Sequence, residues 1–242
     1  MITLGIDLAS NPRKTGLCVV HWIGGEAVVE DVQVGADDDR IAAASEAADV
    51  VGIDAPFGWP VAFETLLAGT ATRWTGPWSA EIRDELRFRA TDFRVRELTG
   101  HWPLSVSTDL IGVPALRCVR LLDRLGVEDR SGDGTVYETY PAAALHMWEL
   151  PARGYKGPKK KRELAVLWGT LKERAPWLRF ADMNHEALLV EKDDALDALV
   201  AALIARAAQL GLTVLPVEAE RPRAVTEGWI HVPVEGSLSK LV

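Results

Sequence analysis

The sequence predicts a single α/β domain built on a mixed sheet, and three features of its 242 residues carry that reading. Apolar residues alternate with period two through the first quarter of the chain, as strands require. Longer stretches of helical periodicity fill much of the remainder. Two strand-like segments end in the same Gly-Ile-Asp pattern.

In residues 2–9, Ile2, Leu4, Ile6 and Leu8 point one way and Thr3, Gly5, Asp7 and Ala9 the other. A turn over residues 10–14 leads to a second strand at 15–23, and Gly24-Gly25 is a two-residue hairpin signal before a third at 27–34. Residues 38–48 form an alanine-rich helix, and 50–55 a fourth strand ended by Pro56. Scattered Gly, Pro, Thr and Trp mark 57–80 as loop. Helices are expected over 81–98, stopped by Gly100, and over 109–125, closed by Gly126. A fifth strand covers 135–140 and helices follow over 142–149, 158–174 and 185–209. The tail holds strand-like pieces at 214–217 and 229–234. The expected organisation is one domain over 1–242, five main strands flanked by helices, a loop and helical insertion at 57–133 after strand four, and a C-terminal extension at 211–242.

Nearly half the residues are apolar, enough for a sizeable core. No apolar run approaches the roughly 18 to 20 residues that span a bilayer, so no membrane association is expected. Neither a signal peptide nor a disulfide framework is indicated: the start has no basic region before an apolar stretch, and Cys18 and Cys118 stand alone in apolar contexts. A cytoplasmic protein is the expectation. The net charge of −8 points away from a protein that coats long nucleic acid, but a carboxylate cluster that binds metal would itself make the chain acidic.

Gly5-Ile6-Asp7 and Gly52-Ile53-Asp54 each put glycine and aspartate on one face of a strand, with the aspartate near the strand's C-terminal end. The glycine leaves room for close approach. In the last long helix, Asp194, Asp197, Ala198, Ala201, Ala205 and Ala208 share one face and Leu196, Leu199, Val200 and Leu203 the opposite one. Such an alanine face lies close against a glycine-bearing sheet and carries its two aspartates to the ends of strands one and four. Four converging carboxylates repel one another unless a divalent cation joins them. The bland alternative makes the helix acids a cap and a first-turn dipole partner. It leaves the paired Gly-Ile-Asp strands unexplained. Glu138 stands inside an apolar strand and is an additional candidate as metal ligand, base or arginine partner.

These motifs also carry a resemblance. Leu4-Gly5-Ile6-Asp7 with Thr15-Gly16-Leu17 resembles the first hairpin of RNase H-like proteins, and Asp194-Ala195-Leu196-Asp197-Ala198-Leu199 is similar to the last helix of RuvC-type Holliday junction resolvases. The chain more closely resembles the domain of unknown function 429 family, described as predicted nucleases of the RNase H fold. The pieces that carry this are Gly5-Ile6-Asp7, Ile53-Asp54-Ala55-Pro56-Phe57-Gly58, Arg89-Ala90-Thr91-Asp92, Glu138-Thr139-Tyr140-Pro141, residues 193–198 and Glu227-Gly228-Trp229-Ile230. The resemblance implies a carboxylate-held magnesium or manganese site in which Asp7 is the strand-one acid and Asp194 and Asp197 the acids of the last helix. Asp54 stands where many such enzymes have glutamate.

Hard oxygen ligands without histidine or cysteine suit Mg2+ or Mn2+ rather than zinc. Two such ions would activate water and stabilise a leaving oxygen, so the expected catalytic set is Asp7, Asp54, Glu138, Asp194 and Asp197. A phosphodiester also needs cations. Lys156 and Lys159 in the basic run 155–162, and Arg89 and Arg94 on the helix expected at 81–98, are the candidates, with Trp74, Trp78 and Trp102 available to stack on bases. The expected partner is nucleic acid, single-stranded or branched more than long duplex. Two alternatives stay open: hydrolysis of small nucleotides or phosphate esters, and a non-catalytic interaction module. A two-domain actin-like sugar kinase needs a longer chain, and no phosphate-binding Gly-x-x-x-x-Gly-Lys-Ser/Thr loop or Gly-x-Ser-x-Gly elbow occurs.

Overall fold

A computed structural model describes residues 1–69, 78–132 and 134–242 of the protein. Among the described residues, six strands make one sheet in the order β5-β4-β1-β2-β3-β6. Strand β1 (Ile2–Asp7) pairs antiparallel with β2 (Gly16–Ile23), which pairs antiparallel with β3 (Glu26–Val34). Gly24 and Gly25 both take positive φ, as a tight hairpin between twisted strands requires. Strand β4 (Val50–Asp54) lies parallel to β1, and β5 (Val136–Glu138) parallel to β4. The sixth strand, β6 (Leu178–Phe180), lies parallel to β3 and exceeds the expected five. Three residues are too few for alternation to show, so only the pairing of Ala27, Val28 and Val29 with them defines it.

The helices are α1 (Asp38–Glu46), α2 (Val61–Leu67), α3 (Ala80–Arg87), α4 (Ala90–Thr99), α5 (Gly112–Arg124), α6 (Pro141–Met147), α7 (Lys161–Arg174), α8 (Met183–Glu191), α9 (Asp193–Gln209) and α10 (Arg221–Glu227). Helix α2 occupies part of the stretch expected to be loop. Its first free N–H, on Val61, is capped by the carboxylate of Glu227, a partner 166 residues away. The single helix expected at 81–98 is two. Phe88 and Arg89 are extended, and the Asp92 carboxylate accepts from the Arg89 N–H at 2.9 Å to start a new helix. The helix expected at 185–209 also divides, at an extended Lys192. That break places Asp193 and Asp194 in the first turn of α9, where the helix dipole favours them. The tail pieces contribute isolated bridges, Glu138 to Ile230 and Thr213 to Pro233, rather than strands.

Two cores lie on opposite faces of the sheet. Leu4, Ile6, Leu17, Val51 and Ile53 meet Ile41 of α1 and Cys118, Leu121 and Leu122 of α5. On the other face, Cys18, Val20 and Val29 meet α9 and, beyond it, Leu164, Leu167 and Leu171 of α7. Helix α9 is buried nearly from end to end. It crosses the sheet at glycines: a Cβ on Gly5 would collide with the Ala198 carbonyl and the Ala202 N–H, one on Gly16 with the Asp194 carbonyl, and one on Gly52 with the Ala201 carbonyl. The small face of the helix and the small residues of the sheet therefore meet backbone to backbone. Replacing Gly5 by Ala should lower unfolding free energy in urea by about 3 kcal/mol, since neither rigid backbone can yield to the added methyl.

Candidate metal centre

The parallel register of β1 and β4 sets Gly5 beside Gly52 and Asp7 beside Asp54. Both aspartates therefore leave the sheet on the α9 face, at the strand ends. Because α9 rests on the glycines just before them, its first turns pass over the same point, and Asp197 faces the strand aspartates. Carboxylate oxygens of Asp7, Asp54 and Asp197 all lie within 4.8 Å of one another. Asp194 stands outside that set, half-buried, and feels Asp193 as well as Asp197.

Asp197 is buried and both its oxygens are engaged: the Tyr155 hydroxyl donates to Oδ1 at 2.7 Å, and Lys156 Nζ lies 2.6 Å from Oδ2. Burial, then Asp197 and Asp54, raises the Asp7 pKa well above the usual carboxylate range. Burial pushes Asp54 up to about 7, with Lys156 opposing and Asp197 and Glu138 adding to it. Burial works against the Lys156 ammonium, but Asp197, Tyr155, Asp54 and Asp7 outweigh it and hold the lysine well above its ordinary value. Asp54 thus keeps a proton up to about pH 7 that a free aspartate loses near 3.8. The metal-free fold accordingly loses stability as pH rises through that window, because the folded chain binds more protons than the unfolded one. These shifts come first from burial and then from mutual repulsion of the acids, and an all-carboxylate donor set fits a hard divalent ion.

Glu138 lies elsewhere. It pairs with Ile53 in the β4–β5 register, so it leaves the sheet on the face opposite to Asp54. There Arg89 holds it with both terminal guanidinium nitrogens, Nη1 donating to Oε2 at 2.9 Å and Nη2 lying 2.8 Å from Oε1. Phe57 N–H donates to Oε2 at 3.0 Å. Arg89 is buried, pairs again with Asp92 at 3.0 Å and donates to the Glu227 carbonyl. The Glu227 carboxylate caps both Val61 and Ala90 and pairs with Arg223, while Thr91 Oγ1 accepts from the Ile230 N–H. The motifs around residues 57, 89–92, 138 and 227–230 thus form one buried framework that braces the loop after Asp54.

Of the cations named from sequence, Lys156 enters the cluster and Arg89 is committed to that framework. Arg94 pairs with Glu97 at 2.6 Å and Glu220 at 3.0 Å, and Lys159 is exposed. Trp102 stacks on Phe88, with ring centroids 4.0 Å apart, and meets Phe93 edge to face. Trp78 is exposed, and Trp74 lies outside the described residues. Tyr155, which opens the basic run, is a site group to which the sequence assigned no role. Its only signal was its position beside Lys156.

Residues 5–221 match the family model described as "Protein of unknown function (DUF429)". No curated protein matches the chain. Among solved structures, the chain is similar to one titled "Thermus thermophilus RuvC structure", at 16% identity and a TM-score of 0.38, over 87% of this chain and 97% of that one. A likeness of that degree assigns no residue roles.

Glu138→Gln keeps shape and removes charge. It should cost about 3 kcal/mol in urea unfolding, by leaving buried Arg89 under-paired.

Proposed function

The chain belongs to the DUF429 family, and from that starting point we propose that it is a divalent-metal-dependent phosphodiester hydrolase, a nuclease. The observation that carries this reading is the convergence of Asp7, Asp54 and Asp197 from two adjacent parallel strands and one helix. These three would hold Mg2+ or Mn2+, with Asp194 as an outer acid available to a second ion. Bound there, the metal supplies Lewis-acid stabilisation of charge on a phosphoryl oxygen and lowers the pKa of a bound water.

The protein's own residues do the rest. The Tyr155 hydroxyl fixes the rotamer of Asp197, so that acid does not have to be ordered when the ion arrives. With all three acids ionised, Lys156 brings the set to a net charge of −2, which one divalent ion would neutralise. If Lys156 turns outward to a substrate phosphate, the same acids and Asp194 accommodate two ions. Its side chain is half exposed and stands between Gly154 and Gly157, both at positive φ. Lys159, exposed on the same segment, extends this cationic surface toward the substrate backbone. Glu138 and Arg89 act through the framework that holds the Asp54 loop, and the paired Arg94 stabilises its own surroundings. Among the described residues no helix is long and apolar enough to cross a membrane.

Asp7→Asn is the decisive variant, since a carboxylate oxygen of Asp7 lies within 4.8 Å of both other acids. Manganese titrated into wild-type protein should bind with heat that the variant lacks, and Mn2+-dependent cleavage of single-stranded or branched DNA or RNA should fall at least about 1,000-fold. Undiminished cleavage by Asp7→Asn contradicts the reading.

A further inference from the structure

A cavity of about 480 Å³ opens beside the acid cluster, and Asp54 and Lys156 line both. Much of its wall is apolar, formed by Ile111, Ala143 and Ile230, with Leu104 61% exposed. Thr139 lines it too. That residue is 2% exposed, and its Oγ1 is buried without a hydrogen-bond partner. Buried hydroxyls are nearly always satisfied, and this unpaired one belongs to a residue of the cavity wall. Arg153 adds a cation to that of Lys156, and the imidazoles of His101 and His146 meet edge to face at a centroid distance of 6.4 Å.

We infer that this cavity receives the single unpaired nucleoside attached to the phosphate under attack, an inference that rests on the hydrolase reading above. Its volume lies in the range of pockets for small ligands, roughly 300–1,000 Å3, which suits one nucleotide unit. A base paired inside a duplex does not reach a recessed wall; a single-stranded or extruded one does. The apolar wall suits the flat face of a heterocycle. A sugar phosphate without a base would leave hydroxyls unpaired against the same surface. Thr139 Oγ1 supplies a hydrogen bond to the base or sugar, and Lys156 and Arg153 stand where the attached phosphate meets the acids. The wall is preformed, because Arg89 and Glu138 line it and are locked to each other.

The test measures binding of a fluorescent single-stranded oligothymidylate, and of its duplex with oligoadenylate, in Ca2+. Mn2+ calorimetry on the same proteins runs alongside. Two variants leave the acids intact: Ala142→Phe, which fills the cavity, and Thr139→Val, which removes the orphan hydroxyl. Single strand should bind wild type more tightly than duplex, and each variant should weaken it about tenfold while Mn2+ binding stays unchanged. Thr139→Val should at the same time unfold at equal or higher urea concentration, since it removes an unsatisfied buried group, so its loss of binding cannot come from misfolding. Equal binding of single strand by wild type and both variants, or tighter binding of duplex, overturns the inference while Mn2+ binding keeps the metal site. Absence of Mn2+ binding to wild type overturns the hydrolase reading and the inference with it.

Discussion

Helix α9 lies so near the sheet that Ala198 and Ala202 occupy the space a side chain at Gly5 would need, and the acid cluster depends on that contact. A conventional helix-on-sheet packing keeps the two about one side-chain layer apart, roughly 10 Å. Aspartate is short, so carboxylates carried on elements so separated would not meet. Glycine at 5, 16 and 52 and alanine at 198, 201 and 202 remove the layer, and Asp197 then lands among the strand acids. The same small residues that look unremarkable as core set the geometry of the acid cluster.

Bringing three acids together under a helix is electrostatically unfavourable, and the fold offsets it locally. Lys156 neutralises part of the charge, Tyr155 donates to Asp197, and Asp7 and Asp54 hold protons far more tightly than free aspartates. A divalent ion at these acids would be a stronger partner than either, and would offset an arrangement that is costly without it. The Arg89 framework is the mechanical counterpart. It ties α2, α4, β5 and the C-terminal segment to the loop that follows Asp54, through carboxylates that cap helices from far along the chain.

Much of this was legible in the sequence, for reasons of period. Two-residue alternation put Gly and Asp on one face of each strand, and the 100° helical step put Asp197 on the alanine side of α9; both are local geometry. What escaped was set by partners distant in sequence. The sequence left Glu138 open between site acid and arginine partner, and the β4–β5 register, a tertiary fact, turns it to the face of Ile53, where Arg89 pairs with it. Helix α2 was hidden because its cap comes from Glu227, and β6 because only its pairing with β3 defines it. The break at Arg89 was written in Asp92, three residues on, as a capping signal weaker than the apolar stripe that ran through it. Asp194 shares the helix face but lies about one turn before Asp197 and falls short of the cluster.

The most direct measurement is anomalous diffraction from crystals soaked in Mn2+, which locates the ion without reference to activity. A manganese peak in contact with carboxylate oxygens of Asp7, Asp54 and Asp197, with Lys156 displaced from Asp197 or retained beside a single ion, is the result predicted here. Crystals with no manganese peak at these three acids, or with Lys156 still paired to Asp197 and the ion bound only elsewhere, would contradict it.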